Sequence, residues 1–241
     1  MKVKDVADIL EELAPLEYAE DFDNVGLLIG DQDMNVTNIL VTLDSLENVI
    51  DEAISKSCNL IISFHPILFK GIKNLTGSNY VERAIIKAIQ NNISIYCLHT
   101  ALDNAIDGVN AKICEVLGVI NTKILITQKG TIKKLTTYIP ETHAKALLKS
   151  LFKAGAGSIG NYSECSFTVD GTGSYKAGKN ANPVKGNKGE LHIETETQIN
   201  VTFPRNKEKS VLTALFDNHL YEEVAYEIST LDNVDSQIGM G

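Results

Sequence analysis

The sequence predicts an α/β protein, in which a mostly parallel-sheet domain is followed by a ferredoxin-like α+β domain. Three observations lead there. In the N-terminal half, short apolar runs at 38–43, 59–63 and 93–98 alternate with helical patterns at 46–57 and 80–91, the mark of βαβ units. After Gly118 the order becomes β-α-β-β-α-β, that of a split βαβ unit. The length of 241 residues, with 44% hydrophobic and 22% charged residues, provides for more than one core.

Taken in order, Val3, Val6, Ile9, Leu10 and Leu13 recur at helical spacing, and Pro15 stops that helix. A loop comes next, through Glu20-Asp21-Phe22-Asp23-Asn24-Val25-Gly26-Leu27, where Asn24 and Gly26 suit the backbone angles of a tight turn. The three apolar runs are strands, and each ends at a polar residue: Asp44, His65 and His99 in turn. In an open α/β sheet the carboxyl ends of the strands line the ligand crevice. These three residues are therefore expected to converge although far apart in sequence.

In the second domain, strands are expected at 134–139, 164–169, 198–203 and 223–229, with helices at 142–154 and 207–220. The segment 171–191 is too long for an ordinary hairpin and is expected to be an excursion. The domains expected are 1–127 and 128–232, with 233–241 starting a return to the first.

Lys and Arg number 22 against 31 Asp and Glu, giving a net charge of −9, the wrong sign for a protein whose affinity comes from neutralising phosphates. The lysines between 176 and 188 fall among Gly, Asn and Pro and read as a solvated loop. No apolar run approaches the roughly 18 residues of a membrane span, and the start has no signal-peptide core, so a cytoplasmic location is expected. Cys58, Cys97, Cys114 and Cys165 show no Cys-x-x-Cys pair and read as buried thiols.

His65 precedes Pro66 at a strand end, and Asp103 stands four residues after His99. Imidazole with carboxylate suits Mn, Fe, Zn and similar ions. Spacing alone favours the alternative, with His65 as a satisfied core residue, His99 bonded to its own backbone and Asp103 as a helix cap. Asp44 invites a role as base or metal ligand, but with Ser45 and Glu47 it also makes an N-cap, the reading favoured by the local pattern. The glycines and lysines of Gly173-Ser174-Tyr175-Lys176-Ala177-Gly178-Lys179 imitate a phosphate-binding loop, yet Asn180 stands where a Ser or Thr is needed and no helix pattern comes after it. Cys97 reads as a core thiol, and His143 and His219 as surface or interface residues.

Taken together, these motifs resemble the Nif-three family of dinuclear-metal-centre proteins, also known as GTP cyclohydrolase I type-two homologues. The likeness is carried by Ala14-Pro15-Leu16 through Phe22-Asp23-Asn24-Val25-Gly26-Leu27, by Ser63-Phe64-His65-Pro66-Ile67-Leu68-Phe69-Lys70-Gly71, and by His99-Thr100-Ala101-Leu102-Asp103 leading to Gly108-Val109-Asn110. Gly171-Thr172-Gly173-Ser174-Tyr175 with Ala181-Asn182-Pro183 and Gly186 looks like the PII-like or CutA-like insert of longer members. The resemblance implies a toroidal homohexamer with paired metals on its inner side. Where the family has Trp this chain has Phe22, and where the family reads His-His-Pro it has Phe64-His65-Pro66, so one imidazole ligand is replaced by a phenyl ring. The family's remaining His and Glu ligands lie beyond the insert, and Ile238-Gly239-Met240-Gly241 looks like the start of that return. The resemblance thus implies a chain shortened relative to longer members, with exposed apolar surface in its first domain.

The resemblance further implies a divalent metal (Zn, Mn or Fe) held by His65 and Asp103, with His99 as an additional ligand or as a group orienting Asp103. The implied chemistry is hydrolysis of a nucleotide such as GTP; the alternative is a non-catalytic metal-binding regulator or scaffold whose PII-like domain senses a small molecule or docks a partner.

Overall fold

The computed structural model describes all residues, Met1–Gly241. They form two compact units, one comprising Met1–Gln128 with Ser236–Gly241 and the other Lys129–Asp235. No helix is long and apolar enough to cross a membrane.

In the first unit the elements are α1 (Val3–Leu13), β1 (Gly26–Ile29), β2 (Ile39–Thr42), α2 (Glu47–Ser55), β3 (Leu60–Ser63), α3 (Tyr80–Gln90), β4 (Ser94–Cys97), α4 (His99–Asp103), α5 (Val109–Leu117) and β5 (Ile126–Thr127). The sheet order is β1-β4-β3-β2. Strands β2, β3 and β4 run parallel, while β1 lies antiparallel on β4. Every residue of β3 and β4 is buried, as expected of strands covered on both faces, and this is why they read as continuous apolar runs. One side packs Ile61 and Ile95 against Ile50, Ala53, Ile85 and Ala88 of α2 and α3. The other packs Leu60, Ile62 and Tyr96 against Val3 and Val6 of α1.

Strand β1 falls where the sequence predicts loop. It comes after a turn, opens at Gly26 with φ +91°, and places Gly30, at φ +112°, so close to Ser94 that an added Cβ would meet its backbone Cα at 2.8 Å. Asn24, by contrast, does not adopt a positive φ. Helix α3 begins on a dense cap. The buried Glu82 carboxylate accepts bonds from Thr76 N, Ser78 N, both hydroxyls and Asn79 Nδ2 at 2.8 to 3.0 Å, and Asn79 Oδ1 accepts from Glu82 N.

The second unit contains β6 (Ile132–Pro140), α6 (Glu141–Lys153), β7 (Phe167–Lys176), β8 (Leu191–Pro204), α7 (Glu208–Asn218) and β9 (Tyr226–Thr230). Its sheet, ordered β7-β8-β6-β9, is antiparallel throughout. Leu135, Ile139, Ile199, Val201 and Phe203 pack beneath Leu147, Leu151, Val211 and Leu215 of the two helices. The expected excursion at 171–191 is corrected: β7 and β8 stay in register as far as Lys176 opposite Leu191, leaving only 177–190 as a loop. Strand residues from Gly173 to Lys176 also exclude a phosphate-binding loop there.

Residues Gly239–Met240 form β10, which pairs with β5 in the first unit, and Ile238 bridges Ala105. All four cysteines are free; Cys58 and Cys97 are buried, whereas Cys114 and Cys165 are partly exposed, contrary to the expectation for those two.

Candidate metal centre

The parallel strands bring Asp44, His65 and His99 to one end of the sheet, just past the ends of β2, β3 and β4. Backbone bonds fix the spacing: His65 N donates to Leu43 O at 2.9 Å, and His99 N to Phe64 O at 3.0 Å. His65 and His99 stand with ring centroids 5.6 Å apart, nearly perpendicular. Phe64 packs on both, with centroids 5.0 and 5.5 Å away, and Phe69 meets the edge of His99 at 6.4 Å.

Each imidazole is gripped at Nδ1 by a carboxylate. His65 Nδ1 lies 2.7 Å from Asp44 Oδ1, and His99 Nδ1 lies 2.8 Å from Asp23 Oδ1. In the tautomer that donates these protons, both Nε2 atoms carry a free lone pair, the state in which histidine ligates a metal. Asp44 therefore does not cap α2. Leu46 occupies the N-cap position with extended backbone and no side-chain cap, leaving Asp44 turned to His65.

Asp23 is a site residue that the sequence pattern does not reveal. Its side chain is fully buried and accepts from His99, from Thr100 N at 3.1 Å and from the Thr100 hydroxyl. Burial pushes its pKa up, but the bonds from Thr100 and His99 outweigh it and hold the carboxyl below its usual range. The only signal in the sequence is an acid in a turn-forming Asp-Asn pair; nothing local connects it to a histidine 76 residues on. His99 itself has φ +32°, an uncommon conformation for a non-glycine residue and one found at functional sites.

Asp103, at the end of α4, lies within electrostatic reach of His99, Asp23 and His65. Burial first, then the charge of Asp23, push its carboxyl above the ordinary range against the pull of His99 and His65. His99 spends its Nδ1 on Asp23 and not on orienting Asp103, and Asp103 does not cap α5, whose N-cap is Gly108. No three His, Cys, Asp or Glu side chains converge closely enough to enclose an ion alone. In kind, however, the donors fit: imidazole nitrogens with free lone pairs beside a carboxylate suit Zn, Mn or Fe. A cavity of about 570 Å³ opens beside Asp23, walled by Leu28, Leu68, Phe69 and Ile85 with Lys70 at its side.

The remaining candidates lie elsewhere. Cys97 is buried, its Sγ on Phe64 O at 3.0 Å, and burial raises its pKa to about 12, the state of an inert core thiol. His143 is exposed. His219 is half-buried, with Nε2 3.1 Å from Tyr138 O, and burial lowers its pKa, so it is an internal rather than a surface residue.

These features define a two-unit α/β protein whose first unit gathers imidazoles and carboxylates at the carboxyl ends of parallel strands. Residues 1–217 match the Duf34/NIF3 (NGG1p interacting factor 3) family model, and the chain belongs to that family. It is 38% identical over 237 residues to the GTP cyclohydrolase 1 type 2 homolog of Bacillus subtilis (strain 168), covering 98% of this chain and 64% of that protein. The homolog of the same name from Listeria monocytogenes serovar 1/2a is 36% identical over 235 residues, covering 97% and 63%. Among solved structures, the Bacillus cereus protein related to NIF3 superposes with a TM-score of 0.79 at 36% identity, over 99% of this chain and 64% of that one. The chain thus spans a little under two thirds of the length of these relatives.

Proposed function

We propose that the first unit binds a divalent metal ion through His65 and Asp103, with His99 as a further donor, and that the whole protein is a metal-dependent hydrolase acting on a nucleotide such as GTP. The observation that carries this reading is the pair of carboxylate-held imidazoles at adjacent strand ends, His65 with Asp44 and His99 with Asp23. Such carboxylate–histidine pairs are the usual surroundings of a ligating histidine. When bound, a divalent ion supplies Lewis acidity and a water acidified for attack. Asp44 and Asp23 fix the tautomer and ring orientation of the two histidines, Asp103 adds negative charge, and Phe64 and Phe69 pack against His99. Water, substrate or other protein groups complete the coordination. The choice of a nucleotide rests on the name borne by the Bacillus subtilis relative.

Phe64 favours a second reading. A phenyl ring packed beside both imidazoles coordinates nothing, which suits a non-catalytic, metal-stabilised regulator or scaffold. In that reading the second unit, with its β-α-β-β-α-β order, is a PII-like or CutA-like sensor or docking domain. Under either reading we expect self-association, to a homohexamer in the complete protein. Val41, Val116, Leu117, Ile120 and Leu125 are all exposed on the first unit, apolar side chains that a partner subunit would cover.

Asp103→Ala separates the two functions. Assayed for product release from GTP by the metal-loaded protein, an enzyme loses turnover while keeping its thermal midpoint. A structural centre loses thermal stability or assembly instead. Absence of GTP turnover in metal-loaded, full-length protein of unaltered sequence contradicts the hydrolase reading.

A further inference from the structure

The second unit contains a cavity of about 600 Å³ that the metal reading does not use. It lies over the β7-β8-β6 face, and the 177–190 loop walls it on one side. That wall is pinned in place: Tyr175 donates its hydroxyl to Lys185 O at 2.8 Å, and Asn182 N donates to Glu222 at 2.5 Å.

Three tyrosines and three glutamates line the cavity, Tyr138, Tyr175 and Tyr221 with Glu196, Glu222 and Glu223, against one lysine, Lys176. Glu196 is the centre of this lining. Half-buried, it takes part in no ion pair; one oxygen accepts from the Tyr221 hydroxyl at 2.7 Å. Its other oxygen lies over Gly173, where an added Cβ would come within 2.0 Å, so glycine at that position makes room for the carboxylate. Tyr175 and Tyr221 meet edge to face with centroids 6.2 Å apart. The Tyr221 hydroxyl is held well above the ordinary tyrosine range, by burial first and then by Glu196, in keeping with a negative interior.

We propose that this cavity binds a small organic cation of the amine or guanidine class, its charge on Glu196 and its body against the faces of Tyr175 and Tyr221. A half-buried carboxylate that takes part in no ion pair gains from a ligand that brings a positive charge. Tyrosine faces attract the same kind of group through the ring quadrupole. Three carboxylates against one lysine give the lining a negative balance, which favours a cation over nucleotides and carboxylate metabolites.

The test is isothermal titration of the full chain with agmatine and with putrescine, with ATP and citrate as anionic comparisons. Tyrosine emission gives a parallel readout, since the chain has eight tyrosines and no tryptophan. The expected result is saturable 1:1 binding of at least one cation. It weakens at least about tenfold in Glu196→Gln, which keeps the bond from Tyr221 and so the fold, and persists in Asp103→Ala. A Glu196→Gln protein with altered thermal midpoint is replaced by Tyr175→Leu, for which the same loss is expected. Failure of both cations to bind, unchanged affinity in the folded variant, or tighter binding of ATP or citrate overturns the proposal.

Discussion

Asp44 and His65 face each other across the ends of two parallel strands, with Oδ1 2.7 Å from Nδ1. The two residues stand two positions past the ends of β2 and β3, whose parallel pairing brings them together, and the hydrogen bond then sets the ring orientation. Asp44→Asn removes the charge while keeping the shape. Metal affinity should fall by about 10- to 100-fold, the usual cost of losing the carboxylate behind a ligating histidine. Titration with Zn, alongside an unchanged thermal midpoint, measures this; equal affinity in variant and parent would leave Asp44 without a role at the centre.

Phe64→His gives a contrasting prediction. The phenyl centroid is 5.0 Å from that of His65 and 5.5 Å from that of His99, so an imidazole there joins the donor group. Higher metal retention is expected, measured as ions per chain after desalting. No gain would argue that the position is closed to coordination.

The Glu82 cap predicts a pH dependence of stability. Backbone bonds from Thr76 and Ser78, with their hydroxyls, hold its carboxyl down to about 2 from an ordinary 4.5. A depressed folded-state value contributes stability that is fully present above pH 4.5 and is lost as pH falls toward about 2. Thermal midpoints of the parent should therefore drop faster through this window than those of Glu82→Gln, which starts lower and titrates less. Parallel curves for the two proteins would contradict the assignment.

In the second unit, Leu147 is fully buried within the cluster that includes Leu135, Ile199 and Phe203. Leu147→Ala should cost about 2 to 5 kcal/mol, through lost transfer energy and the cavity left behind. Urea unfolding monitored by circular dichroism checks this, and a change below about 1 kcal/mol would mean that the core collapses to fill the space.

Legibility in the sequence depends on whether the deciding contacts are local. The runs at β2, β3 and β4 are legible because they alternate with helices and end on polar side chains, and strand-end logic then brings Asp44, His65 and His99 together. β1 is not legible, since its four residues come after turn formers and are strand only through pairing with β4. Nor is the far half of β7, whose glycines read as loop although Gly173 is glycine to accommodate Glu196. Local pattern makes Asp44 a cap, and the hydrogen bond to His65, 21 residues away, overrides it. Asp23 is hidden for the same reason, being defined by contacts to His99 and Thr100.

The most direct test of a metal centre is retention of the ion. Protein stripped with chelator, reloaded with Zn, Mn or Fe and desalted is assayed for metal per chain by mass spectrometry, beside His65→Ala and Asp103→Ala. A retained ion is predicted in the parent, with its loss in both variants while they remain folded. No retention by the parent, or equal retention by all three, would contradict a metal centre at His65 and Asp103.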